Sequence, residues 1–289
     1  MSGPPTRALG WALGLTVAIL LVEGIGGWIA NSLALLADAG HVLTDAGALA
    51  LSLFVAWLAR QPGPQAKTYG YLRWEILAAL INGATLLLIS AWIVVEAVMR
   101  FRNPEPVAGG TMLVVAILGL VVNGISAWLL HGVREGGLNV RGAYLHVLGD
   151  LLASAGTVVA ALVIRATGWY DADPIVSLLT TLLIVSGAWR LVRESVDVLL
   201  EAAPAHIALD EVRSRLEAIP GVTSVHDLHV WTLTSGMVAM SAHAIVPQPE
   251  NNEGVLARAL TELKAMGIQH STMQLECREM AECGEHAHP

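Results

Sequence analysis

Six runs of roughly twenty predominantly apolar residues dominate this chain, and about that length is needed for a helix to cross the hydrocarbon core of a bilayer. They lie at Leu9–Ala30, Leu33–Ala59, Arg73–Met99, Met112–Leu130, Ala143–Arg165 and Ile175–Leu191. In lipid every backbone N–H and C=O must be satisfied within its own segment, so runs of this kind fold as helices. The 289 residues are 55% hydrophobic and only 14% charged, and the charges concentrate after Arg190. The expectation is therefore a six-helix transmembrane bundle, residues 1–204, followed by a soluble domain.

Lys and Arg set the orientation. Arg7, Arg60, Lys67, Arg73, Arg134, Arg141, Arg190 and Arg193 fall at one set of helix ends, against Arg100, Arg102 and Arg165 at the other. The positive-inside bias then places both termini in the cytoplasm. A net charge of −8 leaves no basic stripe for phosphates, which excludes a nucleic-acid partner. The two cysteines, Cys277 and Cys283, are too few for a disulfide framework and suit a reducing compartment.

Two pentapeptides interrupt the apolar runs. His41-Val-Leu-Thr-Asp45 and His146-Val-Leu-Gly-Asp150 each set an imidazole and a carboxylate four residues apart, and both pairs are offset by 105 residues. On a helix, positions i and i+4 share a face with Cβ atoms about 5–6 Å apart. Ionisable groups are costly at membrane depth, and finding them there points to function. Helices two and five run antiparallel in a six-span topology, so each His should face the other helix's Asp. Two nitrogens and two carboxylate oxygens would then surround one point. That donor set fits tetrahedral Zn²⁺, disfavours Mg²⁺ and Ca²⁺, and admits Cd²⁺, Co²⁺, Fe²⁺ and Ni²⁺.

Binding needs neutral imidazole and ionised carboxylate, so metal and protons compete for the same atoms. With His titrating near 6.5, a pH difference across the membrane changes occupancy. These properties predict antiport of zinc against protons. The alternatives are a membrane-embedded zinc metalloenzyme and a zinc sensor. A zinc protease needs His-Glu-x-x-His, which is absent, and catalytic zinc keeps a position open for water that this quartet fills. A ligand quartet deep in a bundle argues against a pure sensor. Of the remaining polar residues, Asp38 shares nearly the face of His41, and Glu23 and Asn31 border the same region. Asn82 and Asn123 read as interhelical hydrogen bonders.

After Pro204 the pattern becomes that of a small α+β domain, residues 205–276. Leu209–Ile219 reads as a helix, Val222–Thr234 and Met237–Val246 as strands about a Ser235-Gly236 turn, Asn251–Met266 as a helix and Ile268–Glu276 as a third strand. This αββαβ order puts helices on one face of a sheet. If the turn sets Thr234 opposite Met237, His226 opposes Ile245 and lies diagonal to His243, with His229 on the other face. His226 and His243, with Glu276 of the third strand, form a candidate regulatory metal site; His270 is a weaker candidate. Residues 277–289 are a tail holding Cys277, Cys283, His286 and His288.

These residues resemble those of the cation diffusion facilitators, in particular the zinc exporters. The matching stretches are Asn31-Ser-Leu-Ala-Leu-Leu-Ala-Asp-Ala-Gly-His41 with Asp45, Thr68-Tyr-Gly-Tyr-Leu-Arg-Trp-Glu-Ile-Leu77, His146 with Asp150, Asp173-Pro174, Leu200-Glu-Ala-Ala-Pro204 and Val225-His-Asp-Leu-His-Val-Trp231. The resemblance implies a six-helix homodimeric transporter that exchanges cytoplasmic Zn²⁺ for protons and carries a metal-sensing cytoplasmic domain of metallochaperone-like, ferredoxin-like fold. It implies that His41, Asp45, His146 and Asp150 are the transport site. The histidine-rich cytoplasmic loop of many animal and plant members is absent at Gly132–Arg141, which suits a bacterial exporter in the inner (plasma) membrane.

Overall fold

The computed structural model describes residues 5–58, 68–131 and 138–278. The chain divides into two compact units, one of residues 1–62 and 78–192, the other of residues 63–77 and 193–289.

Six long helices come first: α1 (Pro5–Ala30), α2 (Leu33–Leu58), α3 (Arg73–Arg102), α4 (Gly109–His131), α5 (Leu138–Thr167) and α6 (Ala172–Leu199). Among the described residues four of them contain stretches long and apolar enough to cross a membrane, at Arg73–Arg102, Gly109–Trp128, Val147–Thr167 and Ala172–Leu199, while the apolar stretch Thr16–Ala30 of α1 is shorter. The distribution of side chains is the reverse of a soluble protein's. Trp28 is 80% exposed and Leu88 73%, whereas Glu23 is 2% and Asp38 4% exposed. A surface of large apolar groups around a polar interior is the arrangement that lipid favours.

One end of the first unit is tied together by polar groups. The α1–α2 turn passes through Asn31 at φ 51°, a left-handed conformation that asparagine tolerates better than most residues. Asp173, in the first turn of α6 and fully buried, caps α2 from another helix: it accepts from Ser32 Oγ at 2.5 Å and from the backbone N–H of Leu33 at 2.7 Å and of Ala34 at 3.1 Å. Arg100, near the end of α3, donates to Asn31 O at 2.6 Å and Oδ1 at 2.7 Å and lies 3.5 Å from Asp173 Oδ2. Beside this clasp Ala30, Ala34, Leu35, Met112, Ala116, Ala160, Ala161 and Ile164 form a core of mostly small side chains, which lets α1, α2, α4 and α5 approach closely.

The second unit holds α7 (Leu209–Glu217), β1 (Ser224–Thr234), β2 (Met237–Ile245), α8 (Asn252–Ala265) and β3 (Ile268–Glu276), with a short 3₁₀ turn at Pro249–Asn251. The sheet order is β1-β2-β3; β1 and β2 are antiparallel, β2 and β3 parallel. Parallel neighbours need a crossover, and α8 supplies it. Val212 and Leu216 of α7 and Val255, Ala259 and Leu263 of α8 pack with Val230, Val238, Met240, Ala242 and Ala244 in one apolar core. The expected αββαβ order and a sheet carrying helices are both present.

The register differs from the expectation. Thr234 does face Met237, but β1 bulges twice, between Thr232 and Thr234 and between His226 and His229. Each bulge adds one residue to β1. His226 therefore pairs directly with His243 rather than with Ile245, and Ser224 takes the place opposite Ile245. Two single-residue slips make an even total, so His226 keeps the face it shares with His243, whereas the bulge between His226 and His229 turns His229, opposite Ser241, onto that same face instead of the expected other one.

Residues 63–77 belong to this unit through the start of α3. Glu75 accepts from Thr234 Oγ1 at 2.6 Å and Ser235 Oγ at 2.9 Å at the tip of the hairpin, and Arg73 pairs with Glu201 at 2.6 Å. Tyr69 meets His270 edge to face, with ring centroids 5.7 Å apart.

Candidate metal centre

In the membrane unit the two pentapeptides sit on α2 and α5, and helical spacing turns His41 and Asp45 to one side of α2. His41 Nε2 lies 2.9 Å from Asp150 Oδ1, across the two helices. Such a separation suits an Nε2–H donating to the carboxylate. His41, Asp45 and Asp150 each offer one ligand atom within 4.8 Å of the others. A tetrahedral Zn²⁺ with bonds of roughly 2.0–2.2 Å separates its ligands by about 3.3–3.6 Å, so small side-chain rotations suffice to close these three on an ion. His146 is in α5, but its side chain lies outside the described residues. Three members of the expected quartet are thus brought together.

The same three residues line a cavity of about 440 Å³, together with Thr44, Gly149, Ala153 and the Thr180–Leu191 part of α6. The interhelical asparagines behave as the sequence suggests: Asn82 donates to Thr44 O at 3.4 Å, and Asn123 to Ser154 Oγ at 3.0 Å. Asn31 belongs to the clasp, away from the ligands. Glu23 and Asp38 are buried in the same unit.

In the C-terminal unit His226, His243 and Glu276 also converge, each with a ligand atom within 4.8 Å of the others. The two oxygens of one buried carboxylate address two imidazoles: Oε1 lies 3.1 Å from His243 Nδ1 and Oε2 3.7 Å from His226 Nε2. The rings meet edge to face with centroids 5.3 Å apart. His226 Nε2 is buried without a hydrogen-bond partner among the described residues, an atom with a lone pair or proton left to give.

Sequence reasoning missed Asp227. It sits in the β1 bulge at φ 50° and reaches His229 Nε2 at 2.8 Å with one oxygen and His243 Nε2 at 3.8 Å with the other. The hydrogen bond with His229 holds its carboxyl below the ordinary 3.8, against the penalty from burial and with lesser help from the charges of His229, His243 and His226. The signal was the Val-His-Asp-Leu-His run itself, whose two histidines flank an acid in a strand that strict alternation cannot accommodate. His270 is engaged with Tyr69 and is not in the cluster. Of the tail, Cys277 is exposed, while Cys283, His286 and His288 lie outside the described residues.

Comparison with known proteins accounts for both units. Residues 11–200 match the cation efflux transmembrane domain, and residues 204–277 match the cation efflux protein cytoplasmic domain. The zinc transporter ZitB of Escherichia coli (strain K12) is 46% identical over 273 residues, covering 93% of this chain and 87% of that protein. A cadmium, cobalt and zinc/H(+)-K(+) antiporter of Bacillus subtilis (strain 168) is 42% identical over 262 residues, 89% of this chain and 84% of its own. The metal cation efflux system protein CzcD of Cupriavidus metallidurans is 40% identical over 291 aligned positions, 98% of this chain and 91% of its own. With both parts matched and the apolar helices described above, the chain belongs to the cation efflux family and is a multi-pass membrane transporter of divalent metal cations.

Proposed function

We propose that this chain exports cytoplasmic Zn²⁺ in exchange for protons, with His41, Asp45, His146 and Asp150 as the transport site. The observation that carries the reading is the convergence of His41, Asp45 and Asp150 on the wall of one cavity inside an apolar bundle. The hydrogen bond between His41 and Asp150 supports direct competition: an entering ion displaces the proton that the two share, and returning protons displace the ion. The relatives named for zinc, and for cadmium and cobalt, support the same class of cargo, with Zn²⁺ preferred and Cd²⁺ and Co²⁺ accepted; the donor set also admits Fe²⁺ and Ni²⁺.

On this reading α1 to α6 all span the bilayer of a bacterial inner membrane, both termini face the cytoplasm, and two copies of the chain associate. The His226, His243 and Glu276 cluster binds zinc as a cytoplasmic regulatory site, and Asp227 orients His243 from behind, as carboxylates commonly do for metal-binding imidazoles.

Zinc flux into proteoliposomes of the purified protein tests this. Uptake should rise with an opposing pH gradient and should vanish in Asp45→Ala. Flux that ignores the gradient removes the proton exchange, and full flux in Asp45→Ala removes the site.

A further inference from the structure

Polar groups in the membrane unit extend beyond the metal ligands. Glu23, in the second half of α1, is 2% exposed, and its Oε2 has no hydrogen-bond partner among the described residues. Its Oε1 lies against α4 at Gly119, where an added Cβ would stand only 2.7 Å from that oxygen and 3.7 Å from Ser154 Oγ. Glycine is what leaves room for the acid there. Glu23 Oε1 and Ser154 Oγ therefore border the same notch on α4. Ser154 Oγ accepts from Asn123 at 3.0 Å and donates to Asp38 Oδ2 at 3.4 Å. A line of polar groups thus runs from α1 past α4 and α5 to Asp38 on α2, three residues before His41.

A carboxyl oxygen that no donor reaches is expensive in a dry interior, and packing alone would be better served by an apolar side chain. A proton or a cation settles it. Among the described residues Glu23 belongs to no cluster of potential metal ligands, whereas a hydroxyl and a second carboxyl are well suited to passing a proton. The acidic groups facing Glu23 are Asp38 of α2 and Asp150 of α5, with His41 and Asp45 of α2 beyond Asp38. From Gly109 to Leu130, α4 contributes no charged side chain.

We propose that Glu23, with Ser154 and Asp38 as its relay, holds the exchanged proton apart from the metal ligands. This rests on the proton-exchange reading above and replaces strict competition at one set of atoms with coupling between two. As a dication enters among His41, Asp45 and Asp150, its field breaks the carboxyl O–H bond of Glu23, and the proton leaves by way of Ser154 and Asp38, one turn of α2 from His41 on the cavity wall, to water. After the ion departs on the other side, a proton from that side reforms the O–H bond.

The test compares the wild-type full chain with Glu23→Gln, using Zn²⁺ as the ion. It measures zinc affinity and stoichiometry, protons released on binding in weakly buffered detergent solution, and zinc flux in proteoliposomes at several pH gradients. In Glu23→Gln the zinc Kd should stay within about threefold, the protons released should fall by about one per ion, and flux should lose its response to the gradient. Undiminished proton release with gradient-sensitive flux overturns the relay. A loss of bound zinc overturns it in another way, making Glu23 a metal ligand. If Glu23→Gln does not fold, Gly119→Ala presses a methyl group onto Oε1 while keeping the acid, and it should shift the pH midpoint of proton release; an unmoved midpoint overturns the relay. Wild-type flux that is insensitive to pH sinks the exchange reading itself, a result distinct from any of these.

Discussion

Asp150 illustrates how much one side chain carries. It meets His41 across two helices and shares the cavity wall with Asp45, so Asp150→Asn keeps the shape but removes a charge that, at the proposed transport site, would balance the cargo. Zinc flux in that variant should fall on the order of 100-fold or more, read in proteoliposomes against protein of equal purity. Asp227 makes a different prediction. Its carboxyl lies below the ordinary 3.8, first because of the bond with His229, so its ionised form favours the folded state. That contribution is fully present above the ordinary value and is lost as pH falls through the lowered one. The stability difference between wild type and Asp227→Asn should therefore be flat near neutrality and vanish in strong acid, as followed by denaturant unfolding at stepped pH. It should also be small, because the side chain is largely solvated. The sequence made the first residue legible and hid the second. Four-residue spacing on a helix is a local rule that needs no tertiary knowledge, whereas the role of Asp227 depends on a left-handed backbone that no alternation of apolar and polar residues announces.

The helices were readable for a similar reason. A run of apolar residues long enough for a bilayer leaves little choice of conformation, so the ends expected for α1 to α6 and those found differ by at most five residues, except that α6 runs eight residues past the expected Leu191. Pairing within the sheet was less readable, because a bulge costs little and shifts everything beyond it. The expected turn was right at Thr234 and Met237, yet the partner of His226 was misassigned by two places. Caps contributed between distant elements are equally hidden. Asp173 satisfies the first N–H groups of α2 from 140 positions away along the chain. Asp173→Ala should strand those donors and the neighbouring Arg100, costing about 3 kcal/mol, seen as a lower unfolding temperature in detergent. Asp173→Asn, which keeps one acceptor oxygen, should lose less.

At the scale of the molecule, the chain carries two clusters of potential metal ligands in two different units, and on the proposed function they should load independently. Equilibrium dialysis with Zn²⁺ should find one fewer ion per chain in His243→Ala and one fewer again when Asp150→Asn is added. Composition alone separated an apolar part from a charged one near Arg190, because lipid and water select such different residues, and the compact units divide close by, between residues 192 and 193. What composition could not reveal is that residues 63–77, far from the C-terminal domain in sequence, are grouped with it. Glu75 gives its two oxygens to Thr234 and Ser235 at the hairpin tip. A truncated protein beginning at Ala205 would lack that acceptor, leaving two hydroxyls to water and the tip without its anchor. Amide exchange there should be faster in the fragment than in the intact chain, and adding back a peptide of residues 63–77 should slow it.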